Sequence, residues 1–195
     1  MKLFHKSLLL FVLIGCVSLS HAAVWDIDPS HSHVGFRIRH LVTKVNGQFD
    51  KFKGSLNFDE KSLKDLSALA DIDTSSVNTN EPKRDTHLKT ADFFDVEKFP
   101  SMTFKSTGVK NLKGSQFQLV GDLTLHGITK PVTLDVEMGG VTQDPWGGTR
   151  SGFSAKGMLN RKDYGMVWNK ALDNGGFLVG DEVEIDIEVE AVKKK

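Results

Sequence analysis

The chain has 195 residues, and its 25 lysine and arginine residues balance 25 aspartate and glutamate residues, so the formal net charge is zero. A balanced charge argues against nucleic acid as a partner. The single cysteine, Cys16, lies in the first segment, so the rest of the chain has no disulfide and no thiol chemistry. The fold must therefore be stabilised by its apolar core.

The first 22 residues have the pattern of a secretory signal peptide. Lys2 and Lys6 precede an apolar run over residues 8–17, and small residues before Ala23 fit a cleavage site after Ala22. The run is shorter than the roughly 20 residues of a membrane-spanning helix. We expect a signal peptide over residues 1–22 and one exported domain over residues 23–195.

An alternative cleavage site lies inside this segment. The residues Leu13-Ile14-Gly15-Cys16 resemble a lipoprotein box, in which Cys16 would become the lipidated first residue. The soluble type of cleavage is preferred because its site follows the apolar run directly. Anchoring through Cys16 remains the alternative, and the intact mass of the mature protein distinguishes the two.

Short segments with alternating apolar and polar residues follow, as expected for strands with one buried face. Residues 25–28 and 32–40 read as two strands that Asp28-Pro29 separates. The apolar parity changes between Phe49 and Phe52, which predicts a β-bulge near Asp50-Lys51.

Strand periodicity disappears between residues 74 and 100. Thr79 or Asn80 is expected to cap a short helix with Pro82 in its first turn. The aromatic residues after this helix indicate a packed connection within residues 80–99 that closes one end of a barrel.

Residues 117–138 read as a long hairpin. The reversal is placed over residues 126–131, because Gly127 can adopt a positive φ and Pro131 cannot donate to a central ladder. A last strand alternates cleanly from Val183 to Ala191. About eight strands are counted, the number at which a closed barrel holds either packed side chains or one ligand. The inward residues mix large and small side chains, so the pattern does not decide between a barrel filled by side chains and a barrel that holds a ligand.

Two groups of residues suggest chemistry. His31 and His33 share one strand face, but His40 lies on the opposite parity and no third ligand is fixed nearby, so no metal site is predicted. In Arg84-Asp85-x-His87, Asp85 could orient His87 as in an acid–base pair. The chain has no nucleophile elbow, no Gly-rich phosphate loop and no HExxH sequence. We interpret these residues as a hydrogen-bonded lid rather than a catalytic site, and predict no cofactor.

Motifs spread along the chain resemble the YceI-like family of periplasmic polyisoprenoid-binding proteins. They are Trp25-x-Ile27-Asp28-Pro29-x-His31-Ser32-x-Val34-x-Phe36-x-Ile38-x-His40, Gly47-x-Phe49-x-x-Phe52-x-Gly54, Ser76-Val77-x-Thr79, Arg84-Asp85-x-His87-Leu88, Asp92-Phe93-Phe94-Asp95, Phe99-Pro100-x-Met102-x-Phe104, Gly121-x-Leu123-Thr124-x-His126-Gly127 and Asn160-Arg161-x-Asp163-Tyr164-Gly165. The family usually has Phe where this chain has Tyr164.

The resemblance implies an all-β fold, namely an extended eight-stranded antiparallel β-barrel of the lipocalin-like type. It also implies a periplasmic location and a hydrophobic tunnel for a long isoprenoid lipid, such as a prenyl quinone or a polyprenyl chain. The expected lining residues are Phe36, Ile38, Phe49, Phe104, Phe117, Leu134 and Ile187. Arg84, Asp85 and His87 are expected to form a lid or to contact the head group.

The expected function is that of a non-enzymatic binding or carrier protein. Two alternatives stay open: an enzyme acting on an isoprenoid lipid, and a ligand-free stress-response or interaction module. A transient contact with a membrane surface and a homodimer are also left open as partner interactions.

Overall fold

The computed structural model describes residues 22–173 and 175–195. The predicted signal peptide and the alternative lipid anchor at Cys16 therefore lie outside the described residues, except for Ala22. The elements are β1 Ala23–Ile27, β2 His33–His40, β3 Thr43–Phe49, β4 Phe52–Asp59, β5 Ser62–Asp73, β6 Val77–Asn78, α1 Pro82–Leu88, β7 Ser101–Lys113, β8 Gln116–Leu125, β9 Ile128–Gln143, β10 Thr149–Asn160 and β11 Val179–Lys193. Short 3-10 helices span Pro29–His31, Thr74–Ser76 and Arg161–Tyr164. No helix in these two ranges is long and apolar enough to cross a membrane.

All the strands pair in antiparallel fashion, and eight of them close a barrel in the order β1-β4-β5-β7-β8-β9-β10-β11, with β11 returning to β1. Strands β2, β3 and β6 extend the sheet from β11. The long strand β11 belongs both to the closed barrel and to this extension, because its residues Ala191–Lys193 pair with β1 while an earlier part of the strand pairs with β2. The predicted all-β, eight-stranded antiparallel barrel with a short helical connection is thus confirmed.

The two ends of the barrel differ in their connections. The β4–β5, β7–β8 and β9–β10 turns lie at one end, which we call the packed end. The β2–β3 and β8–β9 turns, the β10–β11 connection and α1 lie at the other, which we call the α1 end. This arrangement follows from antiparallel connectivity, because successive turns alternate between the ends.

Aromatic residues fill the packed end. The ring of Trp25 is fully buried and stacks on Phe58 with ring centroids 4.9 Å apart. Phe58 in turn meets the edge of Phe153 at 5.5 Å, and Phe117 lies in the same cluster. Each fully buried side chain of this size contributes about 1.5–3 kcal/mol. This end of the barrel is therefore solid.

The predicted bulge at Asp50-Lys51 is instead a break between two strands. Strand β3 pairs with β2 and β6, whereas β4 pairs with β1 and β5. The backbone of this link is bound to the 3-10 helix at its side, since the Asp50 N–H donates to the Ser76 carbonyl and the Asp73 N–H to the Lys51 carbonyl. The chain changes its neighbouring strands between β3 and β4, and this explains why the apolar parity changes between Phe49 and Phe52 without a bulge.

The cap of α1 also differs from the prediction. Glu81 is the N-cap, and its carboxylate accepts from the backbone N–H groups of Lys83 and Arg84 at 3.2 and 2.6 Å. Asn80 has a φ of 60°, and the Thr79 hydroxyl donates to Asp85. Neither of the two predicted residues is therefore available to cap the helix.

The hairpin reversal is tighter than expected. His126 and Gly127, with φ values of 51° and 74°, form a two-residue turn between β8 and β9. Pro131 lies within β9, paired with Asp122 of β8. The pairing of β9 with β10 includes only residues from Asp135 onward. Pro131 therefore lies at an edge, where a missing N–H is tolerated.

Candidate ligand-binding cavity

A cavity of about 460 Å³ occupies the barrel on the α1 side of the packed cluster. Its volume lies within the roughly 300–1,000 Å³ that is typical of small-molecule sites. Aliphatic and aromatic side chains from β2, β5, β7, β8 and β11 form most of its wall. The polar side chains at its wall are His40, Thr79, Lys83, Arg84, His87 and Arg161. Lys83 is exposed, so the cavity reaches solvent beside α1.

Glycines beside the large lining residues keep this space open. A Cβ atom on Gly47 would lie 2.3 Å from Cζ of Phe36, and one on Gly121 would lie 2.4 Å from Cζ of Phe104. Cδ2 of Leu134 similarly lies 2.7 Å from the place of a Cβ on Gly157. These large side chains lie against the barrel wall because the glycines have no side chain. The centre of the barrel is left free as a result.

Six of the seven lining residues expected from the sequence lie at the wall of the cavity. They are Phe36, Ile38, Phe49, Phe104, Leu134 and Ile187. Phe117 does not line the cavity but packs in the cluster at the packed end. Phe104 packs against the cluster at the packed end and also against a second apolar cluster that includes Phe49 and Leu123, so it marks the floor of the cavity.

Arg84 lies at the α1 end of the cavity and is fixed by neutral groups. Its Nε donates to Oγ1 of Thr79 at 2.7 Å, and its Nη2 donates to the Thr79 carbonyl at 2.8 Å. Asp85 holds Thr79 in place by accepting from its N–H and its hydroxyl. Among the described residues no carboxylate forms an ion pair with Arg84. Two of the five guanidinium N–H groups are used, so the others can meet a ligand.

His87 does not pair with Asp85, although the spacing of the two residues in the sequence allowed such a pair. Its Nε2 lies 2.8 Å from Oδ2 of Asp92, while Asp85 is bound to Thr79. The imidazole also meets the rings of Phe93 and Trp168 edge-on, at centroid distances of 5.1 and 4.9 Å. His87 is therefore part of an aromatic lid between α1 and the β10–β11 connection.

Arg161, which belongs to one of the family-like motifs, holds the other side of this lid. The side chain is almost fully buried, and burial lowers the pKa of its guanidinium. Its Nη1 donates to the carbonyls of Met166 and Trp168 at 2.7 and 2.8 Å, and its Nε donates to the Gly180 carbonyl at 2.8 Å. Arg161 thus fixes Trp168 at the cavity wall. In the sequence, Arg161 stands out as part of the motif Asn160-Arg161-x-Asp163-Tyr164-Gly165, which does not show what its side chain binds.

The three histidines considered as metal ligands do not converge. His40 lies at the cavity wall, whereas Nδ1 of His31 lies 2.9 Å from Oδ2 of Asp28. Asp28, His31 and Glu190 are close enough to hold a cation, but Arg150 forms ion pairs with both carboxylates. Hydrogen bonds from Ser30, His31 and Arg150 hold the pKa of Asp28 well below its usual range. We assign this group as an ion-pair network that joins β1, β10 and β11.

Comparisons with known proteins agree with this fold. A family model described as the YceI-like domain matches residues 25–191. The protein YceI of Salmonella arizonae is 41% identical over 196 residues, which cover 97% of this chain and 99% of that relative. The crystal structure of the Campylobacter jejuni YCEI protein matches with a TM-score of 0.71 at 32% identity, and the match covers 80% of this chain and 90% of that protein's chain.

A more distant structure shares the fold alone. A domain from Saccharophagus degradans, described as a polyisoprenoid binding domain implicated in plant cell wall breakdown, has a TM-score of 0.63 at 16% identity. The match covers 89% of this chain and all of that domain.

Proposed function

The chain belongs to the family of YceI-like domains, and on this premise we propose that it is a periplasmic, non-enzymatic binding or carrier protein for a long isoprenoid lipid. A prenyl quinone or a polyprenyl chain has the required chemistry. The observation that carries this proposal is an apolar cavity of about 460 Å³ whose polar lining residues include Lys83 and Arg84 of α1. The polyisoprenoid-binding description of one distant structural relative supports the same ligand class.

The apolar wall supplies affinity for the tail with little discrimination. Burial of apolar surface contributes about 25 cal/mol per Å², which amounts to about 0.8 kcal/mol for each buried methylene group. Each additional buried methylene group therefore raises the affinity slightly, until the tail reaches Phe104 at the floor of the cavity. Discrimination between lipids must come from the polar groups at the α1 end.

Arg84 is the residue best suited to the head group. Its guanidinium is held by Thr79 and has no acidic partner among the described residues, so its charge is not neutralised. A carbonyl or phosphate oxygen would accept a charge-assisted hydrogen bond from it. His40 and Lys83 lie at the same wall and could contribute further donors.

The residues at the cavity favour binding over chemistry. The described lining residues include no carboxylate, serine or cysteine. Their one hydroxyl, on Thr79, already interacts with Asp85 and Arg84, and His87 is paired with Asp92 outside the cavity wall. An activated nucleophile needs an adjacent base within hydrogen-bond reach. For the Thr79 hydroxyl that base is Asp85, but the hydroxyl also accepts from Arg84 and Asp85 also accepts from the Thr79 N–H, so both groups are engaged in holding the lid.

Native mass spectrometry of protein purified from periplasm, followed by solvent extraction, tests the proposal. We expect one prenyl lipid per protein, identified by the mass of the extract. A protein that is empty and also refuses added prenyl quinone would contradict the proposal and favour a ligand-free interaction module. Conversion of the added lipid to a new product would favour the enzyme instead.

A further inference from the structure

The cavity ends at one level of the barrel, where the cluster at the packed end begins. On β8, Leu123 lines the cavity. Leu119 and Phe117 lie on the same face further along that strand, but both are buried in the packed cluster. Strand β9 shows the same change, since Leu134 lines the cavity whereas Val136, two residues later, only packs in the cluster. Within the described residues, the cavity is therefore closed at the packed end.

Three apolar side chains form the floor of the cavity: Phe104, Leu134 and Val189. Each of them lines the cavity and also belongs to the packed cluster or packs against it. The polar lining residues lie at the opposite end, where β2 ends, on or beside α1, and at the start of the β10–β11 connection. A prenyl lipid therefore fits tail first, with the tail at the floor and the head group beside α1.

The depth of the cavity limits the length of the tail. Its wall runs along β2 from His40 to Val34 and along β11 from Val179 to Val189. At about 3.3 Å per residue these stretches are about 20 and 33 Å long, and a strand tilt of about 35–45° reduces them to a depth of about 15–25 Å. Three bonds of an extended backbone span about 3.3–3.6 Å, so the four chain bonds of an isoprene unit span about 4.5–5 Å. The depth therefore matches about three to five isoprene units.

The volume of the cavity gives a similar limit. A carbon atom with its hydrogens takes roughly the space of a water molecule, whose share of the liquid volume is about 30 Å³. The cavity of about 460 Å³ therefore holds about 15 carbon atoms, or about three isoprene units. A tail of eight units has more than twice as many carbon atoms, so the cavity cannot enclose it.

We infer that the cavity encloses a prenyl tail of three or four isoprene units whose head group lies at Arg84. Further units of a longer tail stay outside the barrel, because the packed cluster blocks their path. This inference rests on the proposed function and narrows its ligand class to lipids with about 15–20 tail carbon atoms.

A series of prenyl quinones with two, three, four and eight isoprene units tests the inference. The affinity of the parent protein for each quinone is measured at one fixed detergent concentration. The free tail then lies in a micelle, which is as apolar as the cavity, so each enclosed unit changes the affinity little. Each unit that stays outside the barrel is instead exposed to water, and this lowers the affinity.

We expect the quinones with two, three and four units to bind the parent protein about equally. The quinone with eight units should bind at least about tenfold more weakly, because about half of its tail is left outside. Equal affinity for the quinones with four and eight units overturns the inference.

Ala70→Phe places a ring at the floor of the cavity, because Ala70 lines the cavity next to its strand partner Phe104. The added phenyl group fills about the space of one isoprene unit. We expect the affinity for the quinone with four units to fall about tenfold, whereas that for the quinone with two units stays unchanged. Leu69→Phe is the matched control, because Leu69 is 52% exposed on the other face of the same strand.

An equal loss of affinity at all tail lengths in Ala70→Phe contradicts the inference. If this variant does not fold, as judged by urea unfolding, Val189→Phe raises the floor from strand β11 and should have the same effect on the quinone series. The outcomes also separate the two proposals. Binding of every tail length with equal affinity refutes the length limit alone, whereas a parent protein that binds no prenyl quinone refutes the proposed function itself.

Discussion

The phenyl ring of Phe104 lies directly against the backbone of Gly121, so closely that a Cβ on the glycine would come within 2.4 Å of the ring. Phe36 stands in the same relation to Gly47. The small inward residues of this barrel therefore do not themselves form the empty space. They accept the rings of neighbouring strands, and this keeps the middle of the cavity open.

Gly121→Ala tests this relationship. The added methyl group must displace the Phe104 ring toward the cavity or move the strand, because backbone atoms also lie within contact distance. We expect a loss of about 1–3 kcal/mol in the free energy of unfolding, measured with urea, together with weaker uptake of prenyl quinone. Gly108→Ala, in strand β7, is the control, since a Cβ there meets nothing within 4 Å. Equal effects of the two substitutions would contradict the assigned role of Gly121.

Ile187→Trp tests whether the cavity is empty enough to accept a larger side chain. Ile187 lies at the cavity wall, so the indole can enter existing space and should change the free energy of unfolding by less than about 1 kcal/mol. The same indole occupies space that the ligand needs, and prenyl quinone binding should fall.

Phe117→Trp provides the comparison at the packed end. Phe117 is only 4% exposed within a filled cluster, so the larger ring should cost about 1–3 kcal/mol and leave ligand binding unchanged. If Ile187→Trp destabilised the protein as strongly as Phe117→Trp, the barrel would be solid along its whole length.

Arg84→Gln tests the head-group assignment. Loss of a charge-assisted hydrogen bond costs about 1.5–3 kcal/mol, so the affinity for a prenyl quinone or a prenyl phosphate should fall by roughly 10–150-fold. A plain isoprenoid hydrocarbon has no head group and should bind both proteins equally. Lys89→Gln is the control, since Lys89 directly follows α1 and does not line the cavity. Equal losses for the quinone and the hydrocarbon would show that Arg84 only supports the lid.

Asp28→Asn tests the network that joins β1, β10 and β11. Hydrogen bonds from Ser30, His31 and Arg150 depress the pKa of Asp28 in the folded protein. Asp28 therefore contributes stability above its unfolded pKa of about 4, and this contribution is lost as the pH falls toward the folded value. We expect Asp28→Asn to lower the free energy of unfolding at neutral pH, and the difference from the parent to shrink below about pH 4.

Urea unfolding of both proteins at neutral pH and near pH 3 measures this difference. Asp26→Asn serves as the control, because Asp26 is exposed in its ion pair with Lys194 and such pairs contribute little. A constant difference between Asp28→Asn and the parent at all pH values would contradict the assigned linkage.

The strand pattern was enough to predict a sheet of about eight strands and the inward face of most of them, whereas the closed lipocalin-like barrel was what the family resemblance implied. Alternation is a local property, since successive side chains of a strand point to opposite faces. The residues Phe36, Ile38, Phe104, Leu134 and Ile187, which this alternation assigned to the inward faces, lie at the cavity wall, and the motifs predicted the family. The helix after Asn80 was also predicted, because Pro82 and the loss of alternation are visible in the sequence.

Position along the barrel axis was decided only by the tertiary structure. Phe49 and Phe117 are both inward phenylalanines on alternating strands, yet one borders the cavity and the other fills the packed end. The difference depends on which residues face them across the barrel, and strand periodicity contains no information about those neighbours. The same holds for the lid. His87 pairs with Asp92 and not with Asp85, which is nearer in the sequence, because the chain after α1 folds back on the helix. Long-range packing thus determines where the cavity lies and which polar groups face it.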